Sequence, residues 1–240
     1  MSDSPPNFEN EPAVPMPRLV NFVKQITHDV RNGLNAIELQ SAYIAELAGE
    51  GEVAEELGKL RRMIAHITGD MQELSGRLGE LHPMLVTYAV QDILDGLKQS
   101  VAEEFETQAK RIVWEMKLEN EEIETDYTLL SHALVELLRN AIFFREGDQA
   151  IHFTARNEKG NAVFEARQAR SRPAGDPARW GEAPLVSSRR GGYGLGLYYV
   201  RRVLEALGGR LEPGYDNGSG ELGVRVTLPL TGAGRRSSKE

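Results

Sequence analysis

The chain of 240 residues has no cysteine, no long apolar run and no surplus of basic charge. Without cysteine there is no disulfide scaffold, no thiolate zinc site and no cysteine nucleophile. That composition fits a reducing compartment, and a cytoplasmic protein is expected. No stretch approaches the roughly 18 apolar residues of a membrane span, and the start, MSDSPPNFENEPAVP, lacks the basic-then-apolar pattern of a signal peptide. A net charge of -8 argues against nonspecific nucleic-acid binding, which needs Lys and Arg clustered against phosphates. Neither a membrane nor a nucleic acid is therefore an expected partner. Hydrophobic residues at 40% and charged residues at 27% are those of an ordinary globular chain.

Proline is missing between Pro17 and Pro83, which leaves room for two long helices. Residues 1–15 are polar, with prolines at 5, 6, 12 and 15, and read as a disordered lead. From Met16 to Ala48 apolar residues recur at Leu19, Phe22/Val23, Ile26, Val30, Leu34, Ile37, Ile44 and Leu47, mostly three or four apart, as on an amphipathic helix. A turn at Gly49–Glu52 leads to a second helix over about Val53–Leu81. It carries Leu57, Leu60, Ile64, Ile67, Met71, Leu74, Leu78 and Leu81 in unbroken three-four alternation, a heptad seam. Helices of about thirty residues reach roughly 45 Å each. A lone hairpin of that length buries its stripes poorly, so two chains are expected to pair as a dimeric four-helix bundle.

Residues 83–230 have a different texture. Helical patterns at 88–109, from Tyr127 to about Phe144 behind an Asp126 cap, and over about Leu195–Leu207 alternate with strand-like runs. Those runs are 111–117, 122–124, 149–156, 162–168, 210–212 and 222–230. Two pure helices followed by mixed elements imply a helical hairpin over 16–82 and an α+β domain over 83–230. Residues 231–240 read as a basic tail.

Three patterns carry candidate chemistry. The first helix contains His28-Asp29-Val30-Arg31-Asn32. Neutral imidazole offers a nucleophilic ring nitrogen near pH 7. Asp29 can orient it or take its proton, and Asn32, at i+4, shares its face. On these residues alone a plain surface histidine is the better reading. Gly192-Tyr193-Gly194-Leu195-Gly196-Leu197 places three alternate glycines before a helix, where backbone N–H groups and the helix dipole favour an anion. Glu136-Leu137-Leu138-Arg139-Asn140-Ala141 sets a carboxylate and an amide one turn apart, a donor pair suited to magnesium or simply an exposed helical face.

Taken in order, these patterns resemble the histidine kinases of two-component signalling, from about Leu19 to Leu230. HDVRNGLNAI is similar to the family's phosphoacceptor box, with Gly33 where a proline is usual. The resemblance implies that His28 is the phosphorylated residue, Asp29 its activating acid, and Asn32 a residue assisting dephosphorylation of the partner regulator. ELLRNA looks like the N box, with Asn140 as magnesium ligand. GYGLGL looks like the second glycine box, which would place Gly192, Gly194, Leu195 and Gly196 against a nucleotide. The implied fold is the dimeric hairpin bundle followed by a histidine-kinase-like ATPase (GHKL) sandwich. The implied cofactors are ATP and Mg2+, and the implied partners are a second copy of the chain, a response-regulator receiver domain and an upstream sensor protein.

The sequence departs from the family at the nucleotide site. No Asp-x-Gly-x-Gly box exists in the chain. Family spacing puts Gln168 where the adenine-binding Asp belongs, and a neutral amide oxygen accepts more weakly than a carboxylate. Where a phosphate-binding Lys often follows the N box, the chain reads Ile142-Phe143-Phe144-Arg145, leaving Arg145 as the substitute. Glu136 replaces the first N-box Asn. Arg167, Arg170, Arg172, Arg179, Arg189 and Arg190 form either a phosphate clamp on a mobile lid or a solvated loop. The expected function is autophosphorylation of His28 from Mg-ATP and transfer to a response-regulator aspartate. An ATP-independent histidine phosphotransferase or pseudokinase in a phosphorelay is the alternative the damaged site favours, and a non-catalytic dimeric adaptor is the third.

Overall fold

The structure is a computed structural model in which residues 15–49, 51–118, 120–173, 175–184 and 194–231 are described. The expected disordered lead, apart from Pro15, and the basic tail beyond Thr231 lie outside them. The chain divides into two units, residues 1–80 and 81–240.

The first unit is a hairpin of α1 (Met16–Ala48) and α2 (Glu52–Leu78). Pro17 occupies the first turn of α1, where a missing N–H costs little. Glu52 and Glu55 in the first turn of α2 and Arg77 in its last complement the helix dipole. The heptad seam of α2 splits between two faces. Ile64 and Leu78 are buried within the hairpin, while Leu60 and Ile67 stay 39% and 44% exposed. On α1 the side chains buried within the hairpin include Thr27 and Ser41, and the apolar row Phe22, Ile26, Val30, Ile37, Ile44 and Leu47 is exposed. Each helix therefore buries one face and leaves apolar side chains exposed on another.

The second unit opens with β1 (Val86–Ala89), which runs directly into α3 (Val90–Ala109). β2 (Ile112–Lys117) and β3 (Glu122–Thr125) follow, then α4 (Tyr127–Phe143), β4 (Ile151–Glu158), β5 (Asn161–Ala169), α5 (Gly196–Ala206), β6 (Arg210–Asp216) and β7 (Glu221–Pro229). A short 3-10 turn lies at Pro177–Arg179. The main sheet has the order β2-β4-β5-β7-β6; β2 and β4 are parallel and the other neighbours antiparallel. β1 and β3 form a separate antiparallel pair.

Period-two alternation decides what each strand gives to the core. Ala162, Phe164 and Ala166 of β5 join Ile151, Phe153 and Ala155 of β4 and Val224, Val226 and Leu228 of β7. On them pack α3 (Ile93, Leu94, Leu97), α4 (Leu130, Leu134, Leu137, Leu138) and α5 (Val200, Val203, Leu204). This is a two-layer α+β sandwich. Asp126 fixes the start of α4: its carboxylate accepts from Leu129 N–H at 3.0 Å and from Met84 N–H at 3.0 Å.

Candidate active site

His28 sits on a solvent face of α1, its side chain 66% exposed. Its Nδ1 lies 3.2 Å from Asp29 Oδ1 and 3.3 Å from Asn32 Nδ2. One ring nitrogen cannot both donate to the carboxylate and accept from the amide. The carboxylate is the stronger partner, so the tautomer that satisfies it puts the proton on Nδ1, toward Asp29, with the Asn32 amide a polar neighbour of the same nitrogen. Nε2 then holds the free lone pair, and it has no hydrogen-bond partner among the described residues. Gln25 donates to Asp29 Oδ1 at 2.9 Å. Hydrogen bonds from Gln25 first, then from His28, hold the Asp29 carboxyl below its ordinary value of 3.8. Gln25 escaped the sequence reading, although its i,i+4 spacing to Asp29 is a legible signal. The neighbouring Thr27 is buried with its hydroxyl unpartnered.

In the second unit, Glu136 and Asn140 lie one turn apart on α4. The Asn140 amide nitrogen donates to the Glu136 carbonyl at 2.8 Å and to Glu136 Oε1 at 3.2 Å. Arg139 Nη1 reaches Glu136 Oε2 at 2.6 Å, and the same guanidinium reaches Glu104 Oε1 of α3 at 2.7 Å. The chain Glu104–Arg139–Glu136–Asn140 engages the amide nitrogen, so the amide oxygen is the atom that could take a magnesium ion. Among the described residues no group of three or more His, Cys, Asp or Glu could hold a metal, so phosphate oxygens would have to supply the other ligands.

The glycine-rich segment meets this pair directly. A side chain at Gly196 would overlap Glu136 Oε1 and crowd Asn140 Nδ2. Gly194, at φ 63°, takes the left-handed conformation that glycine permits. Leu195 is buried, and its carbonyl accepts from Tyr199 N–H at 2.8 Å in the first turn of α5. Gly192 lies outside the described residues.

Gln168 occupies the core-facing side of β5 at 4% exposure, and its Oε1 is buried without a hydrogen-bond partner. Arg145 lies beyond the end of α4, close enough to Asp148 for its charge to help lower that carboxyl, behind the larger effect of Arg111. Of the expected arginine clamp, Arg167 points to the opposite sheet face, bonding Glu165 at 2.8 Å. Arg170 stacks on the Phe144 ring and pairs with Glu146 at 3.7 Å. Arg179 pairs with Glu182 at 3.2 Å. Arg189 and Arg190 lie outside the described residues. Arg201, unremarked in the sequence, donates to the Trp180 carbonyl at 2.9 Å and ties the segment before the glycines to α5.

Residues 125–232 match the family described as histidine kinase-, DNA gyrase B-, and HSP90-like ATPase. Over 206 residues the chain is 23% identical to the sensor histidine kinase ZraS of Escherichia coli (strain K12), covering 85% of this chain and 44% of that protein. The chain thus spans less than half of that relative. Among solved structures, full-length ShkA in complex with AMPPNP is similar at TM-score 0.66 and 18% identity, over 88% of this chain and 46% of that one. The catalytic domain of the histidine kinase ThkA is similar at TM-score 0.51 and 18% identity, over 61% and 95%. These structural likenesses establish the fold. No helix among the described residues is long and apolar enough to cross a membrane. Residues 125–232 match a histidine kinase-, DNA gyrase B-, and HSP90-like ATPase domain, and the similarities to sensor histidine kinases support a two-component sensor kinase family for the chain.

Proposed function

We propose that the chain is a histidine-kinase-type phosphotransferase acting through His28. The observation that carries the reading is the placement of Asp29 and Asn32 on one ring nitrogen, His28 Nδ1, which leaves Nε2 as the nucleophile. The Nε2 lone pair attacks the γ-phosphorus of ATP, the bond to the β–γ bridging oxygen breaks, and ADP leaves with that electron pair. The ring becomes cationic, and Asp29 stabilises the positive charge through the Nδ1 proton. The phosphoryl group then passes from Nε2 to an aspartate carboxylate of a response-regulator receiver domain, which restores the neutral imidazole. Asn32 can position a water or a phosphoryl oxygen in the reverse, hydrolytic direction. Such chemistry is mostly positioning and charge neutralisation.

The α4–α5 cleft is the nucleotide site in this reading. Glu136 holds Asn140, whose amide oxygen could take a magnesium ion; Gly194, Leu195 and Gly196 would be phosphate-binding residues, as would Gly192 of the same glycine-rich segment. Magnesium supplies charge neutralisation at those phosphates when bound. Gln168 meets the base, and Arg145 is the remaining cation beyond α4. The relative crystallised with AMPPNP supports an ATP-type ligand. The hairpin over 16–82 is the dimerisation and phosphoacceptor domain, and its exposed apolar rows meet a second copy in a four-helix bundle. The ATPase domain occupies 83–230. A cytoplasmic location and an input from a separate sensor protein complete the reading.

One observation favours a second reading. The segment Ile142-Phe143-Phe144-Arg145 lacks the phosphate-binding Lys, with Phe143 48% exposed, and Gln168 replaces the adenine-binding Asp. A chain with so altered a site works as an ATP-independent phosphotransferase if nucleotide does not bind. Equilibrium binding of a labelled ATP analogue with magnesium separates the two. Binding lost in Asn140→Asp or Gly196→Ala supports the kinase. No binding at millimolar nucleotide, with label passing from a phosphorylated receiver domain to His28, supports the phosphotransferase.

A further inference from the structure

We infer that the base pocket of this chain accepts adenine and guanine nucleotides with similar affinity, because the side chain that reads the base is an amide. The inference rests on the nucleotide-binding reading of the α4–α5 cleft. Gln168 lies on the side of β5 that carries Ala162, Phe164 and Ala166, the face on which α4 packs. It is 4% exposed, yet its Oε1 has no hydrogen-bond partner. Buried amide oxygens are almost always paired, so this atom lacks a donor that a ligand can bring. The adjacent charges do not compete for that role. Glu165 and Arg167 point to the other face of the strand, where they bond each other.

An amide presents an acceptor and a donor side by side. The adenine edge offers the 6-amino donor beside the N1 acceptor. The guanine edge offers the O6 acceptor beside the N1–H donor. These two patterns are related by exchanging donor and acceptor, which a half-turn of the Gln168 amide accomplishes. The unpartnered Oε1 means that no bond from the fold holds this oxygen in place. A carboxylate aimed at the 6-substituent behaves differently: it accepts from the adenine amine and repels guanine O6.

The test is competition of Mg-ATP and Mg-GTP against a fluorescent nucleotide on the full chain, for the wild type, Gln168→Asp and Gln168→Leu, with circular dichroism to show that each is folded. In the wild type the two dissociation constants should agree within about threefold, and Gln168→Asp should favour ATP by about tenfold or more. Gln168→Leu should weaken both nucleotides. Should Gln168→Asp fail to fold, the wild-type ratio and Gln168→Leu decide. A wild-type preference for ATP above about tenfold overturns the inference, and so does a folded Gln168→Asp with an unchanged ratio. Absence of any binding by the wild type fails the nucleotide reading itself, a result distinct from selective binding.

Discussion

The two units satisfy the burial requirement in opposite ways. In the ATPase domain, three helices cover one face of a five-stranded sheet, and large side chains such as Phe153, Phe164, Leu134 and Leu138 are fully enclosed. In the hairpin, Ile64 and Leu78 are the buried apolar side chains among the described residues of α1 and α2, while rows of Phe, Ile, Val and Leu face outward. An amphipathic stripe left in water is unfavourable by roughly 25 cal/mol for each Å2 of apolar surface, so the hairpin leaves a burial requirement open that the ATPase domain meets by itself. The candidate chemistry divides the same way. The proposed nucleophile is exposed on the hairpin, and the groups proposed to hold the nucleotide are buried or half-buried in the ATPase domain.

The largest expected effect probes the complete core. Phe164→Ala should lower the stability of the ATPase domain by about 3–5 kcal/mol in chemical denaturation, because it opens a cavity between sheet and helices. A change under about 1 kcal/mol would mean that this core is not closed. Next, Leu60→Glu with Ile67→Glu should convert a dimer to a monomer in light scattering. The two side chains are exposed in the single chain, where such substitutions alone usually change stability by less than about 0.5 kcal/mol. An unchanged mass would show that these rows meet no second copy. Third, Gly196→Ala should leave the fold intact but weaken nucleotide binding by on the order of tenfold, since its Cβ displaces Glu136 and Asn140. Calorimetric titration reads this directly, and undiminished affinity would remove Gly196 from the site.

The smallest effect concerns pH. Burial alone would push the Glu165 carboxyl up, but Arg167 and Arg156 outweigh it and hold it below its ordinary 4.5. A carboxyl depressed by folding binds its proton less readily in the folded than in the unfolded chain. Its stabilising contribution is full above about pH 4.5 and is lost as pH falls through the lower folded value. Wild type and Glu165→Gln should therefore differ most near neutral pH and converge in acid. Parallel stability curves from pH 7 to 3 would contradict this.

Much of this division was legible in the residues. Both long helices follow from spacing and from the proline-free interval, and the change of texture after Pro83 marks the mixed domain. The helical pattern at 88–109 takes in the end of β1, because Val86–Ala89 runs into α3 without an intervening turn residue. β6 was read too short because Pro213 and Gly214 suggest a turn. As an edge strand, β6 tolerates proline. At the candidate site, the closeness of His28, Asp29 and Asn32 follows from local helical spacing, whereas the Glu104–Arg139 contact spans 35 positions and has no local signature. Arg167 falls inside the strand run 162–168, so it does not share the loop of the other arginines in the expected clamp. One residue of register puts it on the opposite face from Gln168.

The central claim is that His28 is the phosphoryl acceptor. The direct measurement is labelling of the wild type and His28→Gln with γ-labelled Mg-ATP and, separately, with a phosphorylated receiver domain. The wild type should take up an acid-labile, alkali-stable label from at least one donor, and His28→Gln should take up none. Equal labelling of the two proteins, or no label from either donor in the wild type, would contradict the account.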